Sequence, residues 1–185
     1  GFNSHIIVKP YSDPLDVSKF LNNNLSSLSK DLILTNSGEG VLIGKNLTKG
    51  LALRGYSVED FLKLNFIKNG NFIGNSEKLT GNGISIGRNL SLDYDLKLGD
   101  KISIMSTSGV QTIVGTLPKQ ETYLITSIFD SGLADFDRNI AFLNIESLEN
   151  LLDIDPSQRS LEIYLNNPLH IDSIKPKIEK IFNDE

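Results

Sequence analysis

Aspartates, serines and one glycine run are the residues of this chain that could do chemistry. Asp130, Asp135 and Asp137 follow one apolar run, and Asp93, Asp95 and Asp100 lie just ahead of another. Two carboxylates at close range equip a glycosidase, and a cluster of three can hold calcium. Neither group has the calcium-loop order that ends in a bidentate Glu, and Asp at turns and helix starts mostly accepts main-chain N–H bonds. Turn and capping duty is the expectation, with a carboxylate enzyme using Asp130, Asp135 or Asp137 as the alternative. Serines are plentiful, but no Gly-x-Ser-x-Gly elbow anchors a hydrolase triad. The two histidines, His5 and His170, sit at the edges of predicted elements, where a solvated or capping role outweighs catalysis or metal ligation. The stretch Gly81-Asn82-Gly83-Ile84-Ser85-Ile86-Gly87 is spaced G-x-G-x-x-x-G, unlike a dinucleotide fingerprint, and there is no Gly-Lys-Ser/Thr phosphate loop. The lack of cysteine removes disulfides, thiolate metal sites and thiol catalysis together. No catalytic, cofactor-binding or metal-binding residue is expected.

Charge narrows the partners. A formal net charge of −5 and four scattered arginines, Arg54, Arg88, Arg138 and Arg159, supply no basic face for nucleic acid. With 39% hydrophobic and 22% charged residues, the 185-residue chain has the composition of a folded globular domain. No run approaches the ~20 apolar residues of a membrane-spanning helix. The chain opens on Gly1-Phe2-Asn3-Ser4-His5 with no signal-peptide pattern and closes on an amphipathic helix at Glu185; both ends are expected to continue into something longer.

The elements that must position these residues read as α+β. Ser4–Lys9 is a strand stopped by Pro10, and Asp13 or Asp16 caps a helix through about Leu28. Leu32–Thr35, Val41–Ile43 and Leu51–Arg54 are short strands separated by Gly and Asn turns. Ser57 caps a helix through Leu64, and Asn69–Gly83 is loop with one strand at Phe72-Ile73. Ile84-Ser85-Ile86 leads into a helix over Arg88–Tyr94, then a turn at Gly99-Asp100 into the strand Lys101–Ser106. Tyr123–Asp130 and Ile140–Ile145 are strands, Glu146–Leu152 a helix, and Leu161–Leu165 alternates as a half-buried strand does. Asp172 caps Ile174–Phe182, with Pro176 in the first turn, where proline is tolerated. The chain ends build an α/β subdomain (1–56 and 121–185), into which a mostly β subdomain (57–106) is inserted.

One connection stands apart. Lys101–Ser106 and Tyr123–Asp130 look like hairpin partners, yet the loop between them, 107–120, far exceeds the usual two to five residues and is rich in apolar side chains. It carries Val110, Ile113, Val114 and Leu117 around Gly115, with Pro118 blunting the return strand. Either it projects as an apolar β-tipped finger, a partner site, or it folds back as another strand pair of the core.

An ordered set of motifs resembles a family. Gly83-Ile84-Ser85-Ile86-Gly87-Arg88-Asn89-Leu90, continuing to Leu98-Gly99-Asp100-Lys101-Ile102, resembles the signature of lipoprotein-releasing permeases, the LolC/LolE family of the MacB-like ABC transporter class. Gly115-Thr116-Leu117-Pro118, the stretch Ile128–Asp137, the run Ile140–Asn144 with Leu148 and Leu151-Leu152, and the opening Gly1–Val8 match further family motifs in order. The resemblance implies a MacB-like periplasmic core, located between membrane helices of a Gram-negative inner-membrane permease and facing the periplasm. It implies a separate cytosolic ATPase, a second permease subunit, lipoprotein substrates and a soluble periplasmic carrier, LolA. It also implies that a protruding hairpin, the hook, engages the carrier: here Val110 to Pro118, with Ile113, Val114 and Gly115 at the tip and Leu117 on the return strand. Gln120 falls on a polar pad position, whereas Glu121 stands where the LolC branch has Arg. A MacB- or FtsX-like mechanotransmission domain bound to another periplasmic partner is the alternative within the superfamily.

Overall fold

The structure, a computed structural model, describes residues 6–11, 13–18, 29–107, 109–166 and 171–183. Packing divides them into two units: residues up to 35 together with those from 155, and residues 36–154. The sequence placed the divisions at 56/57 and 120/121, so the stretches 36–56 and 121–154 pack with the central unit instead. The reason lies in their strands, which complete its sheet.

In the first unit, β1 (Ile6–Val8) pairs antiparallel with β11 (Ser160–Leu165), and β11 pairs antiparallel with the opening of β2 (Ser29–Gly44), from Leu165↔Ser29 to Ser160↔Thr35. The final helix (Ile171–Asn183) adds Ile174 and Ile178 to the cluster of Ile6, Leu161, Ile163 and Leu165. Strand β11 departs from its expected half-burial: Glu162 and Tyr164 are buried along with the apolar set. The helix begins at Ile171, so Asp172 lies inside its first turn and Pro176 falls in its interior, where proline lacks the N–H for a helical bond. Asp16 Oδ1 accepts from Ser18 N–H at 3.1 Å; most of the helix expected over 13–28 lies outside the described residues.

The second unit is built on a ring of strands. The remainder of β2 pairs with β3 (Leu47–Tyr56), β3 with β10 (Ile140–Asn144), and β10 with β5 (Gly83–Gly87). Strand β5 pairs with β9 (Gln120–Phe129), β9 with β6 (Lys101–Ser106), and β6 with β2 again. The ladder thus closes on itself, with β3/β10 and β5/β9 parallel and the other pairs antiparallel. A short strand, β4 (Phe72–Gly74), adds to the far end of β9. Closure removes most of the sheet edges that would otherwise invite other strands.

Alternation along these strands separates two packed faces. One carries Leu42, Leu53, Ile84, Ile86, Ile104, Ile125 and Leu143, all essentially without solvent contact. The other holds an aromatic cluster centred on Phe142, whose ring centroid lies 5.0 Å from Phe129, 5.3 Å from Phe61 and 5.8 Å from Tyr56. Phe61 comes from α1 (Val58–Phe61), capped by Ser57, and Phe66 from α2 (Asn65–Lys68). The helix expected from Ser57 through Leu64 stops at Phe61, and Leu64 is extended and starts a second one that the sequence does not signal.

Two glycines explain why β2 is one strand of 16 residues and not two short strands broken by turns. A Cβ on Gly38 would lie 2.5 Å from Leu152 Cδ1, and one on Gly40 would lie 2.6 Å from Ile104 Cγ2. These glycines admit neighbours to the sheet and make no turn. Two helices follow strands: α3 (Arg88–Tyr94) after β5 and α5 (Ile145–Leu152) after β10. Between β9 and β10 lies α4 (Ala134–Asn139), which the sequence reading took for turn.

Candidate docking surface

The ladder between β6 and β9 ends at Met105↔Gln120, and just beyond it Ser106 N–H donates to Lys119 O at 2.7 Å. The chain past this point forms a second ladder of its own. Strand β7 (Val110–Thr112) pairs with β8 (Gly115–Leu117) through Val110↔Leu117, Gln111↔Thr116 and Thr112↔Gly115, a separate two-stranded sheet. Of the two arrangements open to the sequence, the projecting hairpin is the one observed.

Local chemistry builds the turn. Tight hairpin turns need positive φ somewhere, which a β-branched side chain resists. Ile113 and Val114 hold the corner positions, and Gly115 takes the positive angle at φ 117°. No neighbour lies within 4 Å of where a Gly115 Cβ would be, so conformation and not space requires glycine there. The Thr112 hydroxyl donates to Gly115 O at 2.6 Å and accepts from Val114 N–H at 3.3 Å. Across the strands, Gln111 Nε2 donates to Thr116 Oγ1 at 2.9 Å. At the base, Gly109 lets the strands approach: a Cβ there would meet Thr116 Cγ2 at 2.4 Å.

What this scaffold presents is apolar. Ile113 is fully exposed at 105%, Val114 is 79% exposed and Leu117 is 51% exposed. Pro118 sits between β8 and β9, where no ladder N–H is required of it. Gln120 is exposed at the first position of β9, and Glu121 is half-buried beside it. Burial chiefly, and the Glu121 charge secondarily, push the Tyr123 hydroxyl above its ordinary range. The pad position of Gln120 and the tip therefore lie on one connected stretch of chain.

Lys119 is a residue the sequence reading passed over. Its ammonium donates to Asn150 O and Asn150 Oδ1, both at 2.8 Å, at the carboxyl end of α5. A basic residue next to the end of a loop carries no periodic signal; only the fold brings it to a helix terminus.

Of the aspartates, Asp130 and Asp137 bring their carboxyls together at the loop after β9, while Asp93, Asp95, Asp100 and Asp135 disperse over turns and helix ends. Asp135 is exposed at 97% on α4, where it lies 3.5 Å from Arg138, and Asp137 is buried. Asp137 accepts from Ser131 N–H at 3.1 Å and from the Ser131 hydroxyl, and burial raises its carboxyl above the ordinary range despite those bonds. Asp130 Oδ1 accepts from Gly132 N–H at 3.0 Å, and Asp93 takes the Arg138 Nε bond at 2.8 Å. Asp95 ends α3 in a left-handed conformation, and Asp100 accepts from Lys97 N–H at 2.8 Å. Among the described residues no three His, Asp or Glu side chains are placed to hold a metal. A cavity of about 360 Å³ in this unit is lined by Phe72, Ile73, Leu92 and Ile128 and by Arg88 and Asp130.

Comparison with known proteins agrees with this architecture. No family model matches the chain. A stretch of 72 residues, 39% of the chain, is 26% identical to the lipoprotein-releasing system transmembrane protein LolC of Xylella fastidiosa Temecula1, and 88 residues are 32% identical to LolC of Haemophilus influenzae. These matches span 17% and 22% of the two LolC proteins. Among solved structures, the extracellular domain of the noncanonic ABC-type transporter YknZ of Gram-positive bacteria aligns over 97% of this chain and 94% of its own, at 9% identity and a TM-score of 0.54. The periplasmic region of MacB from Actinobacillus actinomycetemcomitans aligns over 95% and 82%, at 9% identity and a TM-score of 0.56. No helix among the described residues is long and apolar enough to cross a membrane. The chain therefore has the α+β fold of the MacB- and YknZ-type transporter domains, and its sequence similarity is to LolC.

Proposed function

We propose that this chain is the periplasmic domain of an ABC transporter permease of the LolC type, and that the β7–β8 hairpin docks the soluble carrier that removes lipoproteins from the inner membrane. The exposed tip carries the reading: Ile113 and Val114 meet solvent at 105% and 79% on a hairpin whose backbone is held by its own bonds. Solvent-facing aliphatic side chains on an ordered projection suit a concave apolar groove. Burying them would gain ~25 cal/mol per Å², and association costs of ~4–15 kcal/mol offset much of it. The modest affinity that results fits a carrier that must dock, load and leave.

In this reading the domain faces the periplasm of a Gram-negative cell and is neither catalytic nor cofactor-dependent. Lipoproteins are the substrates, a second permease subunit completes the membrane part, and a separate cytosolic ATPase drives it. Calorimetric titration of the chain with a purified LolA-like carrier is the test. Saturable binding that Val114→Asp abolishes is expected, and binding that survives Val114→Asp overturns the docking role. A second reading, a MacB- or FtsX-like domain transmitting force to another periplasmic partner, is favoured by the fold likeness to the MacB and YknZ domains. Failure of the carrier to bind, or binding that survives Val114→Asp, favours it.

A further inference from the structure

The hairpin's direction has to be set from outside it, because among the described residues β7 and β8 pair only with each other. At its base the main chain offers the Ser106 N–H to Lys119 O bond at 2.7 Å, and Thr107 Oγ1 reaches Glu39 O at 3.4 Å. Among the described residues, these two contacts stand at the foot of the arms. The Lys119 ammonium adds a side-chain tie to a different element. It donates to Asn150 O and to Asn150 Oδ1 at 2.8 Å each, so it grips one residue at two points.

The anchor is well chosen. Asn150 lies in the last turn of α5, where carbonyls have no intrahelical donor and the helix dipole favours a cation. Helix α5 is itself immobilised: Leu148, Leu151 and Leu152 are buried in the ring's core. Gly55 lets it sit close against β3, since a Cβ there would lie 2.9 Å from Ile145 Cα. Lys119 is thus a strut from the hairpin base to the end of a helix that packs into the core.

We infer that Lys119 is a positioning residue for the docking hairpin: by tying its base to the carboxyl end of α5, it fixes the angle at which the apolar tip leaves the barrel. This rests on the docking role proposed above, and the experiment separates the two. The chain contains no cysteine, so a pair of spin labels can be placed at Ile113→Cys and Glu146→Cys without background. In the free protein the tip-to-helix distance distribution is expected to be narrow, to broaden in Lys119→Met, and to narrow again in Lys119→Arg, which can reach the same acceptors. In unlabelled protein Lys119→Met should weaken LolA-like carrier binding about three- to tenfold, the size of one net hydrogen bond at an exposed site. An unchanged distance distribution in Lys119→Met overturns the strut, whatever the affinity does. So does unchanged carrier affinity in Lys119→Met while Val114→Asp abolishes binding. If Val114→Asp also leaves binding intact, the docking role itself fails, and the distance measurement still decides the strut.

Discussion

Isoleucine does opposite work in the ring and in the hairpin of the same unit. Ile84, Ile86 and Ile104 are wholly buried, whereas Ile113 is 105% exposed. In the ring the residue type follows from burial, and the free energy of folding accounts for it. In the hairpin folding accounts for the frame, through Thr112, Gly115 and the Gln111–Thr116 bond, but not for what the frame displays. Side chains that the fold does not need are the ones to assign to a partner.

Four substitutions would break that contrast if it is wrong. The largest effect is expected in the aromatic cluster, where Phe142→Ala should cost about 3–5 kcal/mol in urea denaturation. Its ring pairs with five others, those of Tyr56, Phe61, Phe66, Phe129 and Phe136. Gly40→Ala should cost about 1–3 kcal/mol by overpacking, because Ile104 and Leu53 already stand within 3 Å of the added methyl. Gly115→Ala should do little to the global midpoint but raise amide exchange across 110–117, since the left-handed region costs an L residue about 1–2 kcal/mol. By the same measure Val114→Asp should lie within about 0.5 kcal/mol of the parent protein. A tip substitution that destabilised the fold like a core one would mean the tip is packed, and the docking argument would lose its footing.

How much of this was legible in the sequence depended on whether a residue's duty was local. Arg88–Tyr94 and Lys101–Ser106 form elements with the expected bounds, because a turn glycine or a change of period marks each end. The exceptional loop was legible as well, since its length and apolar content conflict with ordinary hairpin chemistry. The glycines of β2 misled because Gly38 and Gly40 serve neighbours distant in sequence, Leu152 and Ile104, and look locally like turn formers. Helix α4 was missed because its polar residues answer to different neighbours: Asp137 is buried against Ser131 and Arg138 reaches Asp93 on α3. Strand β11 read as half-buried because Glu162 and Tyr164 are residue types usually found at the surface, yet both are buried. Lys119 was silent for the same reason, its partner lying 31 positions away.

The smallest effect is a matter of pH, and it sharpens the contrast between the two regions. The hairpin stretch 109–118 contains no ionisable side chain, while the ring unit buries Asp137 beneath the loop after β9. Burial is the main cause of that carboxyl's raised pKa, outweighing the Ser131 bonds that favour the charged form. A carboxyl raised in the folded state binds its proton more tightly there than in the unfolded chain. Its contribution to stability is therefore fully present below the ordinary carboxylate range, and it is lost as pH rises through the raised folded value. Asp137→Asn cannot titrate, so the stability advantage of the parent over this variant should shrink as denaturation is repeated from about pH 3.5 to pH 7. Over the same range, amide protection in 110–117, corrected for intrinsic exchange, should stay level. If parent and variant instead ran parallel at every pH, Asp137 would be charged without penalty, and the loop after β9 would have to be wetter than its packing indicates. If hairpin protection followed the Asp137 titration, the two regions would be coupled, and the hairpin could no longer be treated as a frame that holds itself.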